Sequence, residues 1–186
     1  MKIVKIMWAL RALIYKPFLK KMGRLTYIGK PIWMSKKKNI EFGNKVRIYP
    51  GSRFETVKDG TIRIYDNVSI GQNFHCISEG NLLIGANTTI SGNVFVTNMD
   101  HDYTEIGKHI LEQKHIVKET VIGENCFIGY GAVIQAGTKL GRHCVVGSNA
   151  VVRGEYPDYS IIVGVPAKIV KIFDFAQNEW SKYNEK

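Results

Sequence analysis

The sequence predicts an all-β chain wound as a parallel β-solenoid, and three observations carry that prediction. Aliphatic residues recur at every sixth position from Ile122 through Ile128, Ile134, Leu140 and Val146 to Val152. Glycine directly follows four of them, at Gly123, Gly129, Gly141 and Gly147. The stretch from Thr97 to Thr120 breaks the rhythm with polar residues and three histidines, after which the rhythm resumes. A fixed period of this kind, without hairpin turn signals, argues against a β-sandwich.

Each six-residue unit reads as a short strand plus a turn. The aliphatic residue points inward, and a small residue four positions on (Cys126, Ala132, Thr138, Cys144, Ala150) occupies the crowded corner. Glycine or asparagine permits the backbone angles of the turn. Three units close a triangular coil of eighteen residues, and coils stack at the strand spacing of about 4.8 Å. Ile122 should then lie against Leu140, Ile128 against Val146, and Ile134 against Val152. The same phrase appears upstream at Ile64 and Ile70, then at Ile84, Ile90 and Val96, with a weaker version at Phe42 and Ile48.

The 186 residues suffice for one domain with a sizeable core and short appendages. Net charge is +10, and the basic residues crowd the first 47 positions, including Lys36, Lys37 and Lys38. That bias fits a local anionic partner better than a general nucleic-acid coat, so no nucleic acid is expected. Three cysteines form no CxxC pair and leave one unpaired in any disulfide scheme, which fits a reducing, cytoplasmic setting. Cys126 and Cys144 stand eighteen apart and are expected to stack as packing residues.

No apolar run approaches the roughly 20 residues of a membrane-spanning helix. The N-terminal stretch MKIVKIMWALRALIYKPFLKKMG has a charged start and an apolar middle. Arg11 breaks it, and no small-residue cleavage site follows, so it reads as retained. On a helical wheel Lys2, Lys5, Lys16 and Lys20 lie opposite Ile3, Met7, Leu10, Ile14 and Phe18. Two roles fit this pattern: an interfacial helix on an anionic membrane, peripheral at its cytoplasmic face, or a cap over the open end of the solenoid. The chain therefore divides into a basic amphipathic helix over residues 1–24, a β-solenoid over 25–165 with an extruded loop at 98–120, and a closing helix or tail over 166–186.

The repeated phrase [LIV]-G-x-x-[small]-x resembles the hexapeptide-repeat acyltransferases. From Thr97 to Lys171, the order of loop, repeats and the ending IIVGVPAKIVK is similar to their sugar and surface-polysaccharide O-acetyltransferases, including the maltose and galactoside groups. The resemblance implies a left-handed parallel β-helix, although ordinary crossovers are right-handed. It also implies a homotrimer, acetyl-CoA as donor, and a sugar or glycan acceptor in a surface polysaccharide or its lipid-linked precursor. N-acylation of a nucleotide-linked amino sugar and acetylation of serine are the alternative reactions within the family. A non-catalytic β-helix assembly module is the alternative outside enzymes.

In that family a catalytic histidine follows a strand at the start of the extruded loop, and the role falls here on His101. Acyl transfer to an alcohol needs a base for the hydroxyl proton, and an imidazole suits that task near neutral pH. Asp100, Asp102 or a backbone carbonyl would fix its tautomer. His75, His109, His115 and His143 read as solvated or packing histidines. The resemblance places donor contacts at Tyr130, Ser148, Arg153 and Gly154, and then at Lys168 and Lys171. The two lysines flank a chain reversal at Gly164-Val165-Pro166 and suit the phosphates of coenzyme A. γ-Type carbonic anhydrases share the β-helix and hold zinc with histidines closely spaced on the coil. No such pair stands here, and no metal is expected.

Overall fold

Successive strands of the chain go to successive sheets, so the backbone climbs as a three-sided coil in a computed structural model that describes residues 2–183. Among those residues three sheets of seven, nine and six strands form the sides, and every rung within the coil is parallel. The architecture is the left-handed parallel β-helix that the resemblance implies.

The expected ladders form. Ile122 pairs with Leu140, Ile128 with Val146 and Ile134 with Val152, and all six side chains are buried. Small polar residues at one corner serve the backbone as well as the core. Thr88 Oγ1 donates to the carbonyl of Gly123 at 3.0 Å, and the Cys126 and Cys144 thiols point at the carbonyls of Gly141 and Pro157, each at 3.2 Å. These thiols are packing groups inside the wall, as their spacing suggests. The turns demand left-handed backbone, supplied by Asn67, Asn87 and Asn125 at φ of 58°, 60° and 55°. Gly123 is needed for a different reason: a Cβ there would run into the backbone of Gly141 on the next coil.

The N-terminal coils depart from the period. Stacked partners lie 22 residues apart at Asn44 and Asp66, 20 at Asn67 and Asn87, and 18 at Asn125 and His143. The extra residues sit at one corner, after the strands Arg53–Thr56 and His75–Ser78. The wider interior is filled by Phe42, Phe54 and Phe74, with Phe42–Phe54 and Phe54–Phe74 centroids 5.5 and 5.6 Å apart. Cys76, six residues after Ile70, pairs with Phe54 and Val96 in the inward column of the third side.

The structure corrects the N-terminal reading and decides between the two C-terminal ones. The N-terminal helix is shorter than residues 1–24. It spans Lys2–Tyr15, Pro17 sits in a following 3₁₀ turn (Lys16–Phe18), and Lys21–Met22 is already a coil strand. A proline early in a helical turn is tolerated, but it cannot continue a helix interior. Arg11 turns toward the coil: its Nη1 donates to the carbonyl of Ile28 at 3.2 Å. Ala12 is buried, and Trp8 packs on Tyr27 and Tyr49 with centroids 5.8 and 5.4 Å away.

At the other end, among the described residues, strands form the expected tail and no helix closes it. Ala167–Asp174 folds back antiparallel on Ser160–Gly164, and Glu179–Lys182 adds a further antiparallel strand. The aromatic residues of this tail explain the difference. Phe173, Phe175 and Trp180 pack around Tyr159 and one another, which a strand pair permits. Among the described residues no helix is long and apolar enough to cross a membrane.

Candidate active site

The chain leaves the coil after Thr97 and returns at Thr120, whose Oγ1 donates to the Thr97 carbonyl at 2.9 Å. Between them, Met99–His101 pairs antiparallel with His115–Val117, placing His101 directly opposite His115. Asn98 fixes the departure. Fully buried, it accepts the Glu79 N–H on Oδ1 at 2.9 Å, donates to Ser78 Oγ at 2.9 Å, and takes the Lys118 N–H on its own carbonyl at 2.9 Å. A buried amide with all these partners makes the loop's root rigid.

His101 lies at the wall of a cleft of about 290 Å³ lined by Phe95, Thr97, Met99, Val133 and Gln135. Neither neighbouring aspartate orients its ring. Asp100 Oδ1 accepts the His101 backbone N–H at 2.9 Å, and Asp102 Oδ1 accepts both the N–H and the hydroxyl of Thr104. Those Thr104 bonds hold the Asp102 carboxyl below the usual carboxylate range. His101 Nδ1 is buried and has no hydrogen-bond partner among the described residues.

The ring that does meet His101 is His115. The two imidazoles stand perpendicular with centroids 4.7 Å apart. His115 Nδ1 bonds one carboxylate oxygen of Glu79, and Lys58 bonds the other. The Glu79 side chain is only 7% exposed. Burial alone would push its carboxyl up, but the bonds from Lys58 and His115 outweigh that and hold it below the ordinary range.

The remaining histidines do structural work. His75 bonds Glu55 at 2.8 Å, His109 Nδ1 accepts the Leu111 N–H at 3.3 Å, and His143 stacks on Tyr159 at 5.4 Å. Sequence reasoning therefore missed Asn98, Glu79 and His115. Glu79 and His115 stand 36 residues apart, so only coil stacking brings them together.

The residues matched to the donor fall into two groups. Arg153, Gly154 and Lys168 line one cleft of about 410 Å³ with Tyr156 and Ala167. The Tyr156 hydroxyl fixes its floor by donating to the Ala167 carbonyl at 3.1 Å. Tyr130 and Ser148 occupy a different corner on consecutive coils, where Tyr130 bonds Asn93. Lys171 lies outside the cleft, opposite Ile161 on one side and Lys182 on the other. The His101 cleft opens on the third side of the coil, where Phe95 and Val133 are successive rungs, whereas the donor cleft lies past the end of that side, between the turn at Arg153 and Gly154 and the returning strand Ala167–Asp174. Among the described residues no three metal-ligating side chains converge.

Comparison with known proteins agrees with this geometry. A family model described as "Bacterial transferase hexapeptide (six repeats)" matches residues 119–154. The chain is 30% identical over 159 residues to the Escherichia coli (strain K12) protein named "Putative lipopolysaccharide biosynthesis O-acetyl transferase WbbJ", covering 82% of this chain and 81% of that one. It is 25% identical over 161 residues to the galactoside O-acetyltransferase of the same organism, covering 87% of this chain and 68% of the relative. In fold it resembles AntD, a Bacillus cereus N-acyltransferase solved with dTDP and coenzyme A, at a TM-score of 0.77 and 19% identity over 90% of this chain and 91% of that one. The repeat, the extruded histidine hairpin and the identity to WbbJ together establish that this chain belongs to the hexapeptide-repeat acyltransferase family.

Proposed function

We propose that this chain is an O-acetyltransferase that moves an acetyl group from acetyl-CoA to a hydroxyl of a sugar in a surface polysaccharide or its precursor. The observation that carries this reading is His101, held on a rigid hairpin at the wall of a cleft, in a chain whose C-terminal coil carries a second, basic cleft at Arg153 and Lys168. The imidazole accepts the hydroxyl proton as the sugar oxygen attacks the thioester carbonyl. The new O–C bond forms, the C–S bond breaks, and the proton passes from His101 to the departing thiolate. Lys168 and Arg153 meet the phosphates of coenzyme A. Incubation with acetyl-CoA and a panel of neutral sugars, amino sugars and serine, with release of free thiol as readout, tests the reaction. Thiol release with amino sugars or serine alone would move the chain to the N-acyl or serine branch.

The functional unit is a homotrimer on this reading. The hairpin loop projects large apolar side chains with nothing of their own chain to cover them: Tyr103, Ile106 and Leu111 are 70%, 96% and 72% exposed. A neighbouring subunit docked against the loop would bury them and close the cleft beside His101. Sedimentation at micromolar concentration should give a trimer, and a monomer there refutes it.

The N-terminal helix docks the enzyme on an anionic membrane surface, at the cytoplasmic face where acetyl-CoA is found. The helix uses Trp8, Arg11 and Ala12 to cap the coil, yet leaves Ile3, Ile6, Leu10, Leu13 and Ile14 turned away from it and exposed. Lys36, Lys37 and Lys38 border a cleft beside the exposed Phe18. Apolar side chains flanked by lysines suit the interface of an anionic bilayer. The protein should pellet with phosphatidylserine vesicles and lose most of that binding in high salt or after replacement of Ile6 and Leu10 by serine. Equal pelleting by that variant leaves the helix a cap only.

A further inference from the structure

The buried Glu79 carboxylate is the most unusual group near the hairpin. The loop does not need it for anchorage. Backbone pairing of Met99–His101 with His115–Val117, the Asp102 N–H to Lys114 carbonyl bond at 2.9 Å and the three bonds of Asn98 already hold the segment. An ion pair taken out of water adds little net stability, and replacement by apolar groups is often neutral. The Glu79 carboxylate is nevertheless covered between the coil and the hairpin, where Lys58 approaches one oxygen and His115 Nδ1 the other.

From this arrangement we infer that Glu79 and His115 are positioning residues for His101, a role that rests on His101 acting as the base. Glu79 accepts the Nδ1–H of His115, which fixes that ring's tautomer and plane. The fixed ring then stands perpendicular to His101 at 4.7 Å and sets the imidazole's orientation in a site where neither Asp100 nor Asp102 does so. When His101 takes the hydroxyl proton, positive charge appears on it. The charged groups on and beside the elements packed around it are Asp100, Asp102, Lys114, Glu79 and Lys58, with His115 between His101 and Glu79. A carboxylate bonded to the intervening ring favours the imidazolium, as the aspartate does in a Ser-His-Asp triad. Lys58 keeps Glu79 ionised for that purpose.

The pair is tested by Glu79→Gln and His115→Phe, compared with the unaltered enzyme in kcat, KM and pH profile. Glu79→Gln keeps the shape and an accepting oxygen but removes the charge. It should lower kcat about tenfold, leave both KM values near their starting points, and move the acidic limb of the kcat profile to lower pH, because the protonated imidazole loses its carboxylate. His115→Phe keeps a ring against His101 but breaks the link to Glu79, and should produce the same shift. Glu79→Asp should recover part of the loss. Unchanged kcat and pH profile in both variants overturn the proposal, as does a loss of activity that follows the melting temperature with no change in pH profile. If His101→Ala stays active the base assignment itself has failed. If His101→Ala is dead while Glu79→Gln is normal, only the positioning role is lost.

Discussion

His101→Ala should reduce turnover by about 10² to 10⁴-fold while acetyl-CoA affinity stays nearly constant. The separation follows from the geometry. On the proposed reading the donor's phosphates meet Arg153 and Lys168, in a cleft that shares no lining residue with the cleft beside His101. Truncating the imidazole removes the group that takes the hydroxyl proton and leaves the donor's contacts in place. The fold should survive as well, because His101 belongs to the excursion and contributes to none of the inner ladders. Isothermal binding of coenzyme A and single-turnover acetyl transfer, measured on the same preparation, check both halves. Near-full turnover in the alanine variant would refute the assignment, and the hairpin would then serve subunit contact alone.

What could be read from the sequence follows from how each feature is encoded. The ladders from Ile122 to Val152 were legible because the inward residue, the glycine and the corner residue recur at one spacing, and each coil repeats the packing problem of the last. The N-terminal coils were read only in part. Extra residues after Thr56 and Ser78 shift the phase at one corner, so the runs Phe42-Ile48-Phe54 and Ile64-Ile70-Cys76 each keep the six-residue spacing but do not join in one register.

The site divides in the same way. His101 was singled out because the family resemblance points to a histidine after a strand at the loop's start, a position readable along the chain. Its support was not found, because Glu79 lies on the preceding coil and reaches His115 only across the stacked structure. The adjacent aspartates were attractive by proximity in the chain, yet short acidic side chains in a turn bond nearby backbone N–H groups first. The closing strands were obscured because FDFAQNEWSKYNEK has no long alternation. Aromatic contacts with Tyr159, remote in the local pattern, decide its form.

The largest stability effect belongs to the widened coils. Phe54 is fully buried between Phe42 and Phe74, on the side where extra corner residues enlarge the interior. Phe54→Ala should cost about 3–5 kcal/mol, the transfer free energy of the ring plus the cavity it leaves. The backbone cannot close that cavity cheaply. The strand Arg53–Thr56 is hydrogen-bonded to coils on both sides, and its strand spacing is fixed by those bonds. Phe54→Leu should cost less than half as much, since most of the volume is retained. Because a solenoid transmits stability between neighbours, the loss should appear first as early unfolding of the coils that carry Phe42 to Phe74, including the docked N-terminal helix. Hydrogen exchange under native conditions should show faster exchange of the Val46–Ile70 amides than of the Ile128–Val152 amides, and urea unfolding gives the total. A cost under about 1 kcal/mol would mean that Phe42 and Phe74 close over the gap, and the three tilted rings would then be space-filling rather than a structural cluster.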